Sequence, residues 1–489
     1  MLKLIKIGVE GLFLGQPNLI PEKYLYGGKF MVQIDEKVYG LSKAKIESIF
    51  DVGTFVELGA YTKRHDSQTD LEGVVCGYGS VNGKLAFAFI QDSGRTKGAF
   101  SERHAKKIID LYALAVKNGA PVIGVFDSAG AVVYDGASAL AAYGRVMKSV
   151  SEASGIIPQI AVVDGICGGS NAIVASMFDI VITVKGKSGL YVNPPFVVGK
   201  ETGSAEYAAA AGLSAYVAEN EAIAYSYVRE LVTTLPQNNA DACLMETSDD
   251  LNRAVAVDAE NYKAEELVRT ISDNGSFIRL YKDYTENSVL GFASFGGVVS
   301  GVVASDTEKN GVLDIKSARA IAKLVSFCDS FGMPVVTLVD SCGLDVSGIA
   351  EENAYASELA KLAYAYTAAD NAKVTVVIGK AYGASFTLLG SKSVGADLVY
   401  ALPTAAISVL SPEASVAFVW NDKVGEKSRE ELEAEWKEKC ASAVDACDRG
   451  EVDDIIDPAE LRQRICAALM MLATKAEGKP ARRHANMPL

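Results

Sequence analysis

Two stretches of this chain read as copies of one another, and that duplication limits the fold more than any other feature. Gly119-Ala120-Pro121-Val122-Ile123-Gly124-Val125-Phe126-Asp127-Ser128-Ala129-Gly130 is matched by Gly332-Met333-Pro334-Val335-Val336-Thr337-Leu338-Val339-Asp340-Ser341-Cys342-Gly343, at a constant offset of 213 positions. Each copy is a β-branched apolar run stopped by Asp-Ser-x-Gly, the pattern of a strand buried on both faces and ended by a turn. A second echo follows each run: Gly165-Ile166-Cys167-Gly168-Gly169-Ser170-Asn171 and Lys380-Ala381-Tyr382-Gly383-Ala384-Ser385-Phe386, where matching Gly168 with Gly383 gives an offset of 215. Both lie between a β-rich run and a small-residue helix. Small residues there expose consecutive backbone N–H groups at a helix start, where partial positive charge can hold an oxyanion. These two turns are the candidate active-site parts.

A chain of 489 residues with 49% hydrophobic content is too long for one ordinary core and can bury two. Solenoid repeats have periods of roughly 20–50 residues, so the long offset points to two homologous halves instead. The formal charge of −14, from 61 acidic and 47 basic residues, argues against a nucleic-acid backbone as the main partner. Eight cysteines are scattered with no Cys-x-x-Cys and no Cys/His cluster at zinc spacing, so no metal is expected. The opening Met1-Leu2-Lys3-Leu4-Ile5-Lys6 soon meets Gly-rich and charged sequence, which makes neither a signal peptide nor a transit peptide. The longest apolar region, 161–184, is broken by Asp164, Asp179 and several glycines, so no transmembrane segment is expected. A reducing, cytoplasmic setting fits this pattern.

In chain order, short strand-like and helix-like pieces up to about residue 50 end in a helix over 44–50. Residues 74–81 and 85–90 form a hairpin signal through Asn82-Gly83. Residues 101–118 carry apolar side chains at helical spacing. The first half then reads strand, loop, helix over 140–153, strand over 160–163, glycine turn, helix, strand over 180–184, a rigid loop over 191–195 and a helix over 219–233. Residues 236 to about 260 are acidic and poor in apolar side chains, and read as the connection between halves. The second half repeats the order: a hairpin-like 298–304, helix 317–331, the buried strand, helix 353–368, strand 374–378 and the small-residue turn with its helix. Residues 427–448 read as one charged helix, a solvated or partner-facing arm.

Several ungapped stretches go further. Phe50-Asp51-Val52-Gly53-Thr54-Phe55-Val56-Glu57, Gly119-Ala120-Pro121-Val122, Val228-Arg229-Glu230-Leu231 and Leu235-Pro236-Gln237-Asn238-Asn239 belong to the first half. Lys380-Ala381-Tyr382-Gly383, Val452-Asp453-Asp454-Ile455-Ile456-Asp457-Pro458 and Arg483-His484-Ala485-Asn486-Met487-Pro488-Leu489 belong to the second. Together they resemble the carboxyltransferase subunit of biotin-dependent acyl-CoA carboxylases and decarboxylases, nearly end to end. The resemblance implies an α/β fold of two homologous crotonase-like domains, each a ClpP/crotonase β-β-α superhelix, here 1–245 on the acyl-CoA side and 246–489 on the biotin side. It places catalytic backbone pairs at Gly169 and Ser170 and at Ala384 and Ser385, with Gly168, Gly383, Tyr382 and Thr387 as the cofactor-binding surround. It also implies biotin on a separate carrier protein, a coenzyme A thioester as substrate, a biotin carboxyl carrier protein and a biotin carboxylase subunit as partners, and a hexamer of two stacked trimers.

The chemistry so implied needs backbone more than side chains. Moving a carboxyl group from carboxybiotin to a thioester α-carbon builds negative charge on the thioester oxygen and on the biotin ureido oxygen. Two preorganised pairs of N–H donors would stabilise both, each donor being worth about 3–4 kcal/mol. This chain departs from the family pattern mainly in its first half, with Ala129-Gly130-Ala131-Val132 after Asp127-Ser128, with Ser170 where a second glycine is usual, and with Pro194-Pro195 in the following loop. Thr387 stands where the acyl-chain preference of the family is often set.

Blander readings stand beside these. Asp127 and Asp340 are candidate acids, but an Asp ending a strand more often caps the next turn. His104, one of three histidines, invites a role, yet a surface helix histidine is usually without one. Cys167 has no base near it in sequence and reads as small buried filler. Met147-Lys148 superficially matches a biotin attachment pair but falls inside a helix, so the biotin belongs to another protein. Other functions stay open: the α-subunit of a sodium-pumping decarboxylase, a non-catalytic scaffold subunit of a carboxylase complex, and a biotin-independent thioester hydrolase.

Overall fold

The structure, a computed structural model, describes residues 41–64, 67, 70–199, 202–478 and 486–488. The pieces expected before residue 41, and Arg483, His484, Ala485 and Leu489 of the terminal motif, lie outside the described residues.

Helix α1 (Ser42–Ile49) buries Ile46 and Ile49 and leads into strand β1 (Val56–Leu58). The hairpin of β2 (Val74–Val81) and β3 (Lys84–Gln91) turns at Asn82 and Gly83, both at positive φ (+48° and +81°), the twist a two-residue turn requires. Helix α2 (Glu102–Asn118) starts where the Ser101 side chain accepts the His104 N–H and ends at Gly119 with φ +60°. It delivers the chain into β4 (Val122–Ser128), and α3 (Ala137–Ala153) crosses over to β5 (Gln159–Gly168). Helix α4 (Ser170–Ser176), β6 (Ile180–Val184), β7 (Gly189–Tyr191), β8 (Tyr216–Ala218) and α5 (Glu221–Thr234) complete the half.

The second half repeats the plan. It runs α6 (Ala264–Ile271), β9 (Phe277–Leu280), β10 (Ser288–Phe295), β11 (Val298–Ser305), α7 (Ile315–Ser330), β12 (Val335–Ser341), α8 (Tyr355–Ala368), β13 (Lys373–Tyr382), α9 (Ala384–Leu388), β14 (Leu398–Ala401), β15 (Ala406–Ser408) and, after an arm, β16 (Asp454–Ile455) and α10 (Leu461–Met471). Each half forms an eight-stranded sheet, ordered β1-β2-β3-β4-β5-β6-β8 with β7 beside β5, and β9-β10-β11-β12-β13-β14-β16 with β15 beside β13. Hairpins keep the first strands of each sheet antiparallel. Helical crossovers make the rest parallel, with β4 and β12 buried at the centre.

Three apolar cores result. One lies between the first sheet and helices α2 and α3, and one between the second sheet and helices α6 and α10. The third is shared: side chains of α1, α5 and the first sheet join those of β9, β10, α7 and α8 in one cluster. Specific contacts reinforce the joint. Tyr216 stacks on Tyr227 at 4.0 Å, the Tyr227 hydroxyl donates to Arg279 O at 2.7 Å, and the Tyr281 N–H donates to Ala215 O at 2.7 Å.

One expectation, a single charged helix over 427–448, changes. The connection over 236–260 holds no helix and is fixed to both halves. Asn238 donates to Gly119 O on the first half, and Leu244 forms an antiparallel bridge with Val298 of the second sheet. The charged arm is two helices, Arg429–Cys440 and Ala443–Asp448, not one. Ser442 interrupts it because its hydroxyl caps the second helix through the Asp445 N–H, and its backbone bridges to Ala406.

Gly124 lies inside a triad of Phe89, Phe126 and Phe178, whose rings meet edge-on; a Cβ there would sit 2.6 Å from Phe89 and 2.9 Å from Phe126. Gly124→Ala is therefore expected to lose about 1–3 kcal/mol by overpacking. Gly144→Ala, in the exposed middle of α3 with nothing within 4 Å of the new methyl, is expected to gain up to about 1 kcal/mol from helix propensity. Urea or thermal unfolding of the two variants checks the opposite signs.

Candidate active site

The two glycine turns lie at the C-terminal ends of β5 and β13. There the ladders break in the same way. β4 and β5 stay in register to Phe126–Val163 and resume at Ser128–Cys167, and β12 and β13 do so at Val339–Val377 and Ser341–Ala381. The extra residues are held by the Asp one residue before the end of the central strand. Asp127 Oδ1 accepts the Ile166 N–H at 3.3 Å, and Asp340 Oδ1 accepts the Lys380 N–H at 2.9 Å. A Cβ at Gly165 would collide with the Asp127 carboxylate, and one at Gly379 would lie 2.5 Å from Asp340 Oδ2. Both aspartates thus shape the turns, in line with the capping reading. Asp340 also accepts the Tyr262 hydroxyl at 3.1 Å.

The turns themselves match in backbone conformation and hydrogen bonding, and they correct the sequence register. Gly169 (φ +58°, ψ −129°) is the residue before α4, and Gly383 (φ +62°, ψ −148°) is the residue before α9. The Gly169 N–H donates to Tyr191 O at 3.0 Å, and the Gly383 N–H to Ser408 O at 2.9 Å. Gly169 therefore corresponds to Gly383 and Ser170 to Ala384, at an offset of 214 rather than 215. As first residues of their helices, Ser170 and Ala384 have N–H groups that no carbonyl of the same helix can reach; so do Asn171 and Ser385 behind them. The Gly169 N–H, by contrast, is committed to Tyr191. A Cβ at Gly169 would meet nothing within 4 Å, and one at Gly383 only Val409 O at 3.4 Å, so both turns face open space.

The surround differs between the two. Gly168 pairs across the ladder with Tyr191, whose ring lies 2.8 Å from where a Gly168 Cβ would be. Tyr382, the counterpart of Gly168, pairs with Ser408. The aromatic ring thus comes from the neighbouring strand at the first turn and from the turn strand itself at the second. Burial pushes the Tyr382 phenol up to about 12, so it is a neutral hydrogen-bonding group at ordinary pH. Ser385 is buried and its hydroxyl donates back to Tyr382 O at 2.8 Å, while Ala384 and Thr387 are exposed at the start of α9. Beside this turn is a cavity of about 680 Å³ lined by Tyr262, Lys263, Asp340, Lys380, Tyr382 and Lys437. No hydrogen bond or ion pair among the described residues joins the first turn to the second.

Behind the first turn lies a polar cluster that sequence reasoning did not assemble. Asn171 and Gln91 exchange two side-chain hydrogen bonds, at 2.9 and 3.2 Å, and Gln91 Oε1 also accepts the Asp127 N–H at 3.1 Å. Gln91 Nε2 lies 3.4 Å from His104 Nε2. The only hint in the sequence was a polar Asn at a helix start. His104 is fully buried rather than on the surface, because α2 turns it inward against Phe100 at 4.7 Å. Burial pushes its pKa down to about 3. Cys167 is likewise buried, and its thiol is pushed far up, which suits filler.

Comparison with known proteins follows this geometry. A family model described as "Carboxyl transferase domain" matches residues 40–487. The chain is 33% identical over 475 residues to the methylmalonyl-CoA decarboxylase subunit alpha of Veillonella parvula, covering 92% of this chain and 93% of that protein. It is 33% identical over 481 residues to the carboxyltransferase subunit of propionyl-CoA carboxylase from Haloferax mediterranei, at the same coverages. Among solved structures, the hexameric transcarboxylase 12S with methylmalonyl-coenzyme A and methylmalonic acid bound matches with a TM-score of 0.86 and 31% identity, over 92% of each chain.

The buried His104 has a pH consequence. Folded, it stays neutral down to about pH 3; unfolded, it takes a proton near pH 6.5. Between these values the unfolded chain binds more protons, so this contribution is fully present above about pH 6.5 and is lost as pH falls toward about 3. Replacing His104 with Gln is expected to flatten that part of the stability profile, read as the difference between wild type and variant in unfolding at about pH 7 and about pH 5.

Proposed function

Because the chain belongs to the carboxyltransferase family of biotin-dependent acyl-CoA carboxylases and decarboxylases, which has the crotonase-like fold, we propose that it moves a carboxyl group between biotin on a separate carrier protein and a short-chain acyl-CoA such as acetyl- or propionyl-CoA. The observation that carries the reading is the matched pair of open turns, each presenting first-turn N–H groups at the end of the strand beside the central one. In this reading the acyl-CoA half is 1–245, holding β1–β8, and the biotin half is 246–489, holding β9–β16.

At the first turn, the thioester oxygen of the acyl-CoA takes the electron pair of the α-carbon as the carboxyl group leaves or arrives. Ser170 offers its N–H to that oxygen. Gly169 supplies the positive φ that aims the helix start, and Gly168 leaves the room that the Tyr191 ring fills. At the second turn, Ala384 and Ser385 offer N–H groups to a carbonyl oxygen, flanked by Gly383, Tyr382 and Thr387. Biotin on its carrier would supply there the ureido group that gives or takes the carboxyl. Such donors act on charge that develops only in the transition state, so they govern kcat more than substrate binding.

The reading includes a homo-oligomer, by analogy with the hexameric transcarboxylase 12S, in which a carrier and a biotin carboxylase subunit would serve the site. Exposed apolar side chains in both halves support it: Val133, Tyr134 and Leu140 in the first, Val346, Ile349 and Phe418 in the second. No helix among the described residues is long and apolar enough to cross a membrane. A cytoplasmic setting is part of the proposal and accords with eight cysteines that are all free. The decarboxylase direction is the second reading, since one relative at 33% identity carries that name.

Purified protein is expected to decarboxylate malonyl-CoA or methylmalonyl-CoA, faster with free biotin. Pro is tolerated at the first position of a helix and removes only an N–H the helix does not use. Ser170→Pro and Ala384→Pro are therefore each expected to fold and assemble, yet to lose about 10²–10³ in kcat. No turnover with any short acyl-CoA from an intact oligomer would favour the scaffold reading, and thioester hydrolysis indifferent to biotin would favour a hydrolase.

A further inference from the structure

The structure assigns Asn171 as a positioning residue for the first turn, acting with Gln91 to hold the helix start that carries the Ser170 N–H. This rests on the proposed function of that turn. Both side chains are buried, at 1% and 0% exposure, so neither can exchange its partner for water.

The orientation of the pair is determined by one backbone group. The Asp127 N–H can only donate, so the Gln91 atom 3.1 Å away is its oxygen. The Gln91 nitrogen then faces Asn171 Oδ1 on one side and His104 Nε2 on the other. Since that nitrogen only donates, the His104 ring accepts at Nε2 and is the neutral form protonated on Nδ1. Burial keeps it neutral, as shown above, so the donor pattern does not change over ordinary pH.

The geometry closes a ring around the turn. Gln91 ends β3, Asp127 is the last residue but one of β4, the Asp127 carboxylate holds Ile166 before the turn, and Asn171 holds the helix after it. Both ends of Gly168-Gly169-Ser170 are thereby tied to the ends of two neighbouring strands. The second half keeps only one of these ties. Asp340 still holds Lys380, but Gln91 and Asn171 are replaced by Ser305 and Ser385, and the Ser385 hydroxyl turns back to Tyr382 O. The first turn has more need of the second tie, because it has Gly168 where the other has Tyr382, and each glycine adds backbone freedom. A displacement of about 1 Å in a reacting group can cost about a hundredfold in rate.

The test compares full-length wild type with Asn171→Ser, Asn171→Ala, Gln91→Ala and the Asn171→Ser/Gln91→Ala double variant. Asn171→Ser copies the second half, where a serine is the second residue of the helix and makes no such bridge, so it keeps a foldable start while cutting the tie. Decarboxylation of the preferred acyl-CoA gives kcat and KM, and hydrogen exchange reads the amides of Gly169, Ala172 and Ile173. The expected result is a 10–100-fold fall in kcat for Asn171→Ser with KM within about threefold, and a double variant no worse than its worse single. Exchange at those three amides should rise at least about tenfold while Gly383 and Phe386 are unchanged. Unchanged kcat with unchanged exchange, or a kcat loss matched by equal loss of folded protein and additive in the double variant, would overturn the assignment. If wild type turns over no acyl-CoA, the functional reading has failed, and local exchange alone then judges the tie: faster exchange at the first turn sustains it, and no change rejects it.

Discussion

Each candidate site depends on one hydrogen bond between a carboxylate and a backbone N–H. Where β4 gives way to its turn, β5 carries more residues than its neighbour can pair, which leaves the Ile166 N–H without a ladder partner. Asp127 supplies the missing acceptor, and Asp340 does the same in the second half. The carboxylates lie so close to the bulge that only glycine fits at 165 and 379. The Asp one residue from the end of each central strand and the glycine at 165 or 379 are two halves of one contact, some 38–39 residues apart in sequence. That contact points the end of each strand outward and makes room for the turn whose N–H groups face open space.

Around this shared device the halves diverge. Asp164, fully buried in β5, is held by Lys45 at 2.9 Å, Lys187 at 2.7 Å and the Tyr225 hydroxyl at 2.5 Å, which fastens α1 and α5 to the first sheet. A buried charge of this kind is costly unless fully partnered, so it contributes more to the placement of those helices than to net stability. The equivalent position in the second half is Ile378, within an apolar core. The middle core, shared by both halves, makes the joint between them part of the hydrophobic interior rather than a hinge over a linker.

The two turns also solve one packing problem in opposite ways. Each needs an aromatic ring beside a small residue so that the backbone can approach a ligand without leaving a void. The first places Gly168 on the turn strand and Tyr191 on the neighbour; the second places Tyr382 on the turn strand and Ser408 on the neighbour. Because parallel pairing brings both members to the same point, the exchange leaves the local shape similar while changing which strand carries the ring.

The sequence by itself determined the duplication, the Asn-Gly hairpin, the buried central strands and the two small-residue turns, because these follow from local periodicity and from residues with few allowed conformations. Family motifs in the same sequence also named the chemistry that the comparisons support. Tertiary structure alone decided the rest. Gly169 rather than Gly168 corresponds to Gly383, since the register of each turn is set by hydrogen bonds to β7 and β15, more than twenty residues further along. His104 is interior, because the face of α2 that it occupies is covered by strands the helix pattern does not mention. The Gln91–Asn171 bridge joins residues 80 positions apart, and no local pattern could pair them. Backbone conformation is written in short stretches of sequence, whereas a polar contact between strand ends exists only once the sheet has set which ends are neighbours.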